Sequence, residues 1–167
     1  MMMISTKAVS LALLASIPIA ANAQSKPDFG SLAICASLGK MPTRYKAIEC
    51  NQRNPLRQCS FTLSADTLPI KYLVDDGIVV SKWIEFGNYA AFVGPFGLKR
   101  GDSDNIAMAK VRRATGLAFE RWADDQDAEG AYYQSTDINC RKNIYNLRVF
   151  FHKGKLETLS VSSLPMV

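Results

Sequence analysis

A segment of this chain recurs 77 residues further on, and that recurrence narrows the architectures open to it. Ile70-Lys71-Tyr72-Leu73-Val74-Asp75-Asp76-Gly77 lines up with Leu147-Arg148-Val149-Phe150-Phe151-His152-Lys153-Gly154. Both read as a strand entering a two-residue hairpin turn, because Gly77 and Gly154 supply the positive φ that such a turn demands. Past the turns, Val79 matches Leu156, Ser81 matches Thr158 and Ile84 matches Val161. Upstream, Asp28-Phe29…Ile34…Leu38-Gly39 matches Asn105-Ile106…Val111…Thr115-Gly116. The second of these reads as a helix: Asp102 or Ser103 caps it, Ile106, Ala107, Val111 and Ala114 recur at helical spacing, and Gly116 ends it. In the first, Asp28 caps, Phe29, Leu32, Cys35 and Ala36 form one stripe, and Gly39 stops it. The expected fold class is therefore α+β. Two tandem helix-plus-antiparallel-hairpin repeats, about 28–86 and 102–164, form one two-layer domain with helices over one sheet face. Gln58–Leu63 adds a strand to the first half, and residues 118–122 and 132–138 are strand candidates in the second.

Residues 1–23 read as a secretory signal peptide rather than as part of that domain. Lys7 is the positive region, residues 8–21 are apolar, and Ala21-Asn22-Ala23 is a small-x-small cleavage site ahead of Gln24. Residues 24–167 then form a single domain. Of 20 Lys and Arg, the loss of Lys7 leaves 19 against 15 acidic side chains, too small a surplus to suggest nucleic acid. No later stretch is long and apolar enough to span a membrane, and no cysteine stands at the cleavage site to take a lipid. The expected location is periplasmic or secreted, without a lipid anchor.

Export implies an oxidising compartment, so Cys35, Cys50, Cys59 and Cys140 are expected as two disulfides. Three pairings are open. Cys50 and Cys59 flank a polar segment containing Asn54-Pro55, which makes a local bridge easy and would leave Cys35 with Cys140. No CxxC occurs and the sole histidine, His152, is far from the first three cysteines, which argues against a metal centre.

Phe96-Gly97-Leu98-Lys99-Arg100-Gly101-Asp102-Ser103, the helix after it, Gly116 and the later hairpin resemble the repeat of small exported proteins of the SmpA/OmlA type, the repeat also found in β-lactamase-inhibitor-protein-like chains. The resemblance covers residues 96–164. Residues 28–86 lack a counterpart of Leu98…Gly101-Asp102-Ser103, and the lipidation cysteine typical of SmpA/OmlA members is missing. What the resemblance implies is a non-catalytic fold whose sheet face binds other proteins.

Strand parity assigns faces to the hairpins. Ile70, Tyr72, Val74, Val79 and Trp83 share the expected core side with Leu147, Val149, Phe151 and Leu156. The opposite side carries Lys71, Leu73, Asp75, Val80 and Lys82, and Arg148, Phe150, His152, Lys155, Glu157 and Leu159. Apolar residues interleaved with cations suit a binding surface, and Lys71, Leu73, Lys82, Arg148, Phe150 and His152 are its candidate residues. Trp122, Tyr132 and Tyr133 are expected in the core. The partner expected is another exported or envelope protein, with an anionic envelope polymer as a further option for the basic stretch Lys99-Arg100 and Lys110…Arg112-Arg113.

No GxSxG, HExxH or CxxC motif is present, so a non-catalytic protein without a cofactor is expected. The alternative is an envelope hydrolase with His152 as base. A second alternative is a calcium-dependent module: Asp125, Asp127 and Glu129 ahead of Gly130 match the first half of a calcium loop. Thr136 stands where the loop's closing glutamate belongs.

Overall fold

The structure is a computed structural model and describes residues 28–87, 92–123, 128–140 and 143–163. The expected signal peptide, Asp125 and Asp127 lie outside the described residues.

Among the described residues, nine antiparallel strands form one sheet: β1 (Tyr45–Cys50), β2 (Gln58–Leu63), β3 (Lys71–Asp75), β4 (Ile78–Glu85), β5 (Phe119–Ala123), β6 (Gly130–Ser135), β7 (Ile138–Cys140), β8 (Asn143–His152) and β9 (Lys155–Ser162). They run β1-β2-β3-β4-β9-β8-β6-β5, with β7 paired to the start of β8. Helix α1 (Asp104–Thr115) is the α-helix of the described residues.

The two hairpins at the centre form as the turn residues dictate. Asp76 and Gly77 have φ of 45° and 71°, and Lys153 and Gly154 have 50° and 67°, so both central turn positions are left-handed. This twist matches that of the strands it joins. Both hairpins also carry a bulge at the same place. Leu73 faces Ser81 and Val74 faces Val79, leaving Val80 as the extra residue. Phe150 faces Thr158 and Phe151 faces Leu156, leaving Glu157. The hairpins lie side by side through β4 and β9.

The bulge corrects the assignment of faces. A residue inserted into one strand reverses its parity from that point on. Lys82 is therefore opposite Tyr72 and points into the core, fully buried, while Trp83 is opposite Lys71 on the other face. Leu159 is likewise a core residue, paired with Val149 and Ile84. On β6 the expectation of a core role holds for Tyr133, whose ring meets Phe151 edge-on at 5.7 Å. It fails for Tyr132 and Trp122, which pair with each other on the outer face.

The α+β expectation of two helix-plus-hairpin units is overturned as well: the fold is β-rich, and residues 28–39 make bends and turns where the first helix was expected. Other partners take the backbone groups a helix would use. Lys82 Nζ donates to the carbonyls of Phe29 and Leu32, and pairs with the Asp28 carboxylate. Cys35 N donates to Val79 O at 2.9 Å, Val79 N to Ala36 O at 3.0 Å, and Leu38 N to Gly77 O at 2.6 Å, which fastens the segment to the start of β4. Cys35 itself is left-handed at φ 64°, a conformation that ends helical propagation. Tyr72 Oη donates to Asp66 Oδ2 at 2.7 Å and accepts from Ser31 N at 3.0 Å. Burial, then the Asp66 carboxylate, push that phenol above its ordinary range.

The core lies between this segment, α1 and one face of the sheet. Phe29 and Ile34, then Ala107, Met108 and Val111 of α1, pack with Phe61, Tyr72, Ile84, Val149 and Val161. Gly116 closes α1 at φ 67°, its N–H bonded to Arg112 O. Cys35 is bonded to Cys140 and Cys50 to Cys59, the pairing in which the local bridge forms. The first ties residues 28–39 to β7, and the second staples edge strand β1 to β2.

Candidate functional site

The other face of the sheet is built from side chains that register places in rows. One row crosses eight strands: Lys46, Thr62, Lys71, Trp83, Ser160, Arg148, Gln134 and Glu120, each directly opposite the next. Beside it run Trp122, Tyr132, Phe150, Thr158 and Glu85, paired in the same way. A third row includes Leu73 between Ser60 and Ser81. Cross-strand neighbours sit about 5 Å apart, so each row is a continuous contact line.

The larger side chains of these rows are held laterally. Lys71 Nζ is 2.6 Å from Glu85 Oε1, and Trp83 Nε1 donates to the same oxygen at 3.3 Å. The Lys71 ammonium lies 6.0 Å from the centre of the Trp83 ring. Arg148 Nε donates to Gln134 Oε1 at 2.9 Å. Burial lowers the Arg148 guanidinium from its ordinary value, with Tyr132 pulling the other way. Tyr132 and Phe150 stack at 5.2 Å and 28°. Fixed in this way, Trp, Tyr and Arg lose little freedom when a surface closes over them. Between Trp83 and Arg148, the Ser160 hydroxyl is fully buried and has no hydrogen-bond partner among the described residues.

Of the six residues expected at the binding surface, Lys71, Leu73, Arg148 and Phe150 belong to these rows. His152 has the same parity at the end of β8, where it pairs with Gly130 and Lys155. Lys82 does not belong, being on the core side. Trp83, Trp122 and Tyr132 do belong and were expected in the core. For Trp83 the reason is the bulge at Val80, which carries no mark in residue type; β5 and β6 pair without a bulge, and Trp122 and Tyr132 reach the outer face through that pairing and its register. Trp122 is 49% exposed, which a core residue on an edge strand would not be.

His152 Nε2 is 3.9 Å from Glu129 Oε2 beside the hairpin turn, and the Lys153 ammonium is 2.9 Å from the same carboxylate oxygen. Glu129 thus faces two basic side chains, His152 and Lys153. Among the described residues, no group of three His, Cys, Asp or Glu stands close enough to hold a metal. Part of the basic stretch is also engaged within the fold: Lys110 Nζ pairs with Asp102 Oδ2 at 2.6 Å, and Arg112 lies over the Tyr133 ring at 5.9 Å. No helix of the described residues is long and apolar enough to cross a membrane. Searches with family models, against characterised proteins and against solved structures find no match to this chain.

Proposed function

We propose that this chain is an exported, non-catalytic protein-binding protein of the inhibitor, immunity or envelope-assembly type, and that it docks its partner on the outer face of the sheet. The observation that carries this reading is the composition of the two central rows. Trp83, Arg148, Tyr132, Trp122 and Phe150 gather on one face, and the first four are of the residue types that dominate the energy of protein interfaces. The lateral bonds of Lys71, Glu85, Arg148 and Gln134 support it too, since they hold the surface in shape before binding. Two disulfides are compatible with an oxidising compartment. The resemblance of residues 96–164 to SmpA/OmlA-type repeats points the same way.

The test is affinity capture from envelope extract with residues 24–167 as bait, run beside a Lys71→Glu/Arg148→Glu variant and a Trp83→Ala variant of unchanged circular dichroism. The expected result is a partner retained by the parent and lost by the charge-reversed chain. Trp83→Ala should weaken its binding by about 30-fold, the scale of a 2 kcal/mol anchor. Equal retention by all three proteins would remove the reading.

A further inference from the structure

We propose that the β5 end of this face is a receptacle for a basic side chain, arginine above all, presented by the protein partner; the inference rests on the docking reading above. The pairing of β5 with β6 sets Glu120 beside Gln134 and Trp122 beside Tyr132. After β6 the chain turns through Thr136 and Asp137 into β7, held by a bond from Thr136 N to Ala118 O at 3.0 Å. The result is an open depression of about 340 Å³ lined by Glu120, Trp122, Gln134, Ser135, Thr136 and Asp137.

The chemistry of the lining selects the occupant. Among the described residues, two carboxylates line the depression and no basic side chain does. Asn146 Nδ2 donates to Asp137 Oδ1 at 3.1 Å and to Ser135 O at 3.2 Å, so Asp137 is oriented through one oxygen and keeps the other for a ligand. Arg148 is committed to Gln134 Oε1, which positions that amide. The Ser135 hydroxyl is also committed, donating to Thr136 O and accepting from Leu147 N. What remains for a ligand is acceptor capacity on Glu120 and Asp137 together with the half-exposed face of Trp122.

An acidic group entering here would meet two like charges. An apolar one would strip water from carboxylates without pairing them, which is costly. A guanidinium satisfies both requirements, since it pairs with carboxylates through a fixed fork of donors and stacks on an indole ring. An ammonium meets them less completely, as a point charge. The rest of the row toward β1 carries Lys71 and Lys46, so the face would take a partner whose basic residue seats at the β5 end and whose acidic residues lie toward β3.

The probe is a capped Gly-Arg-Gly peptide titrated into the disulfide-bonded protein at low ionic strength, with the Trp122 indole N–H followed by NMR. A saturable shift is expected, reduced at least fivefold for capped Gly-Glu-Gly and lost in Glu120→Gln/Asp137→Asn. Both substitutions are isosteric and on exposed carboxylates, and the unchanged Trp83 indole resonance reports an intact fold. No saturable shift, an equal shift with the acidic peptide, or a shift that survives the double substitution overturns the receptacle. Those results leave the docking reading standing, because capture by the parent but not by Lys71→Glu/Arg148→Glu reads that separately. A surviving arginine shift beside capture insensitive to Lys71 and Arg148 has the opposite meaning: the docking reading falls, and the proposal that a partner supplies the arginine falls with it.

Discussion

Lys82→Ala is expected to lower the unfolding free energy by about 3–5 kcal/mol, the range for removing one member of a buried ion pair. Lys82 is fully buried and is the common partner of Asp28, the Phe29 carbonyl and the Leu32 carbonyl. Its removal leaves two carbonyls around an empty volume, and each orphaned carbonyl adds its own desolvation cost, whereas the partly exposed Asp28 carboxylate keeps the Phe29 N–H. Lys82→Met restores the volume without the donors, so its shortfall from the parent measures the polar part alone. Urea denaturation of the three proteins reads the difference, and a loss below about 1 kcal/mol for Lys82→Ala would show that Lys82 is dispensable to the segment it clasps.

The same residue sets a pH dependence. Burial lowers the Lys82 ammonium from 10.5 to about 7. Between those values the unfolded chain holds a proton that the folded chain does not. The cost of burying the charge is therefore complete below about 7 and fades as pH rises toward 10.5, so this group makes the fold more stable with rising pH across that window. A neutral amine still donates to the Phe29 and Leu32 carbonyls. Above pH 10 the trend turns: Tyr72, raised by burial and by Asp66, favours the fold only while the unfolded phenol is also neutral. In Lys82→Met the rise between 7 and 10 should flatten. A parent profile that is already flat would contradict the account.

The second large effect concerns the bridge from Cys35 to Cys140, which spans 105 residues, against 9 for Cys50 to Cys59. On the chain-entropy view, replacing the long bridge by two alanines costs roughly 2 kcal/mol more than replacing the short one. The structure adds to that difference. The long bridge anchors residues 28–39, which cover part of the core, whereas the short one holds an edge strand whose residues 45–49 are all exposed. Unfolding curves of Cys35→Ala/Cys140→Ala and Cys50→Ala/Cys59→Ala make the comparison. Equal losses would mean that the 28–39 segment is held without its disulfide.

Much of the hairpin framework was legible from residue type, because it is specified by short-range chemistry. Asp76-Gly77 and Lys153-Gly154 demand left-handed turns, and the alternation of Tyr72 and Val74, or Val149 and Phe151, fits one pleated face. The α1 helix was legible through its spacing and Gly116. Strand β1 was not. Tyr45-Lys46-Ala47-Ile48-Glu49-Cys50 faces solvent along nearly its whole length, so no buried side imprints a period, and a bulge between Ala47 and Glu49 breaks what alternation there is. The candidate site was half legible for a related reason. Lys71, Leu73, Arg148 and Phe150 precede the bulges in their hairpins and keep the parity that the sequence implies. Lys82 and Trp83 follow one and exchange sides.

Sequence alone determined the two hairpin turns, the second-half helix and the cysteine set available for pairing, each through contacts between residues a few positions apart. Tertiary structure decided the rest. Residues 28–39 carry a helix-compatible stripe, yet β4 and Lys82 take the backbone groups that helix would use, and a bond made across the fold outweighs a local propensity of tenths of a kcal/mol per residue. Which side of the sheet holds Trp83 was decided in the same way, by a bulge that only strand pairing creates, and Trp122 reaches that face through the unbulged pairing of β5 with β6.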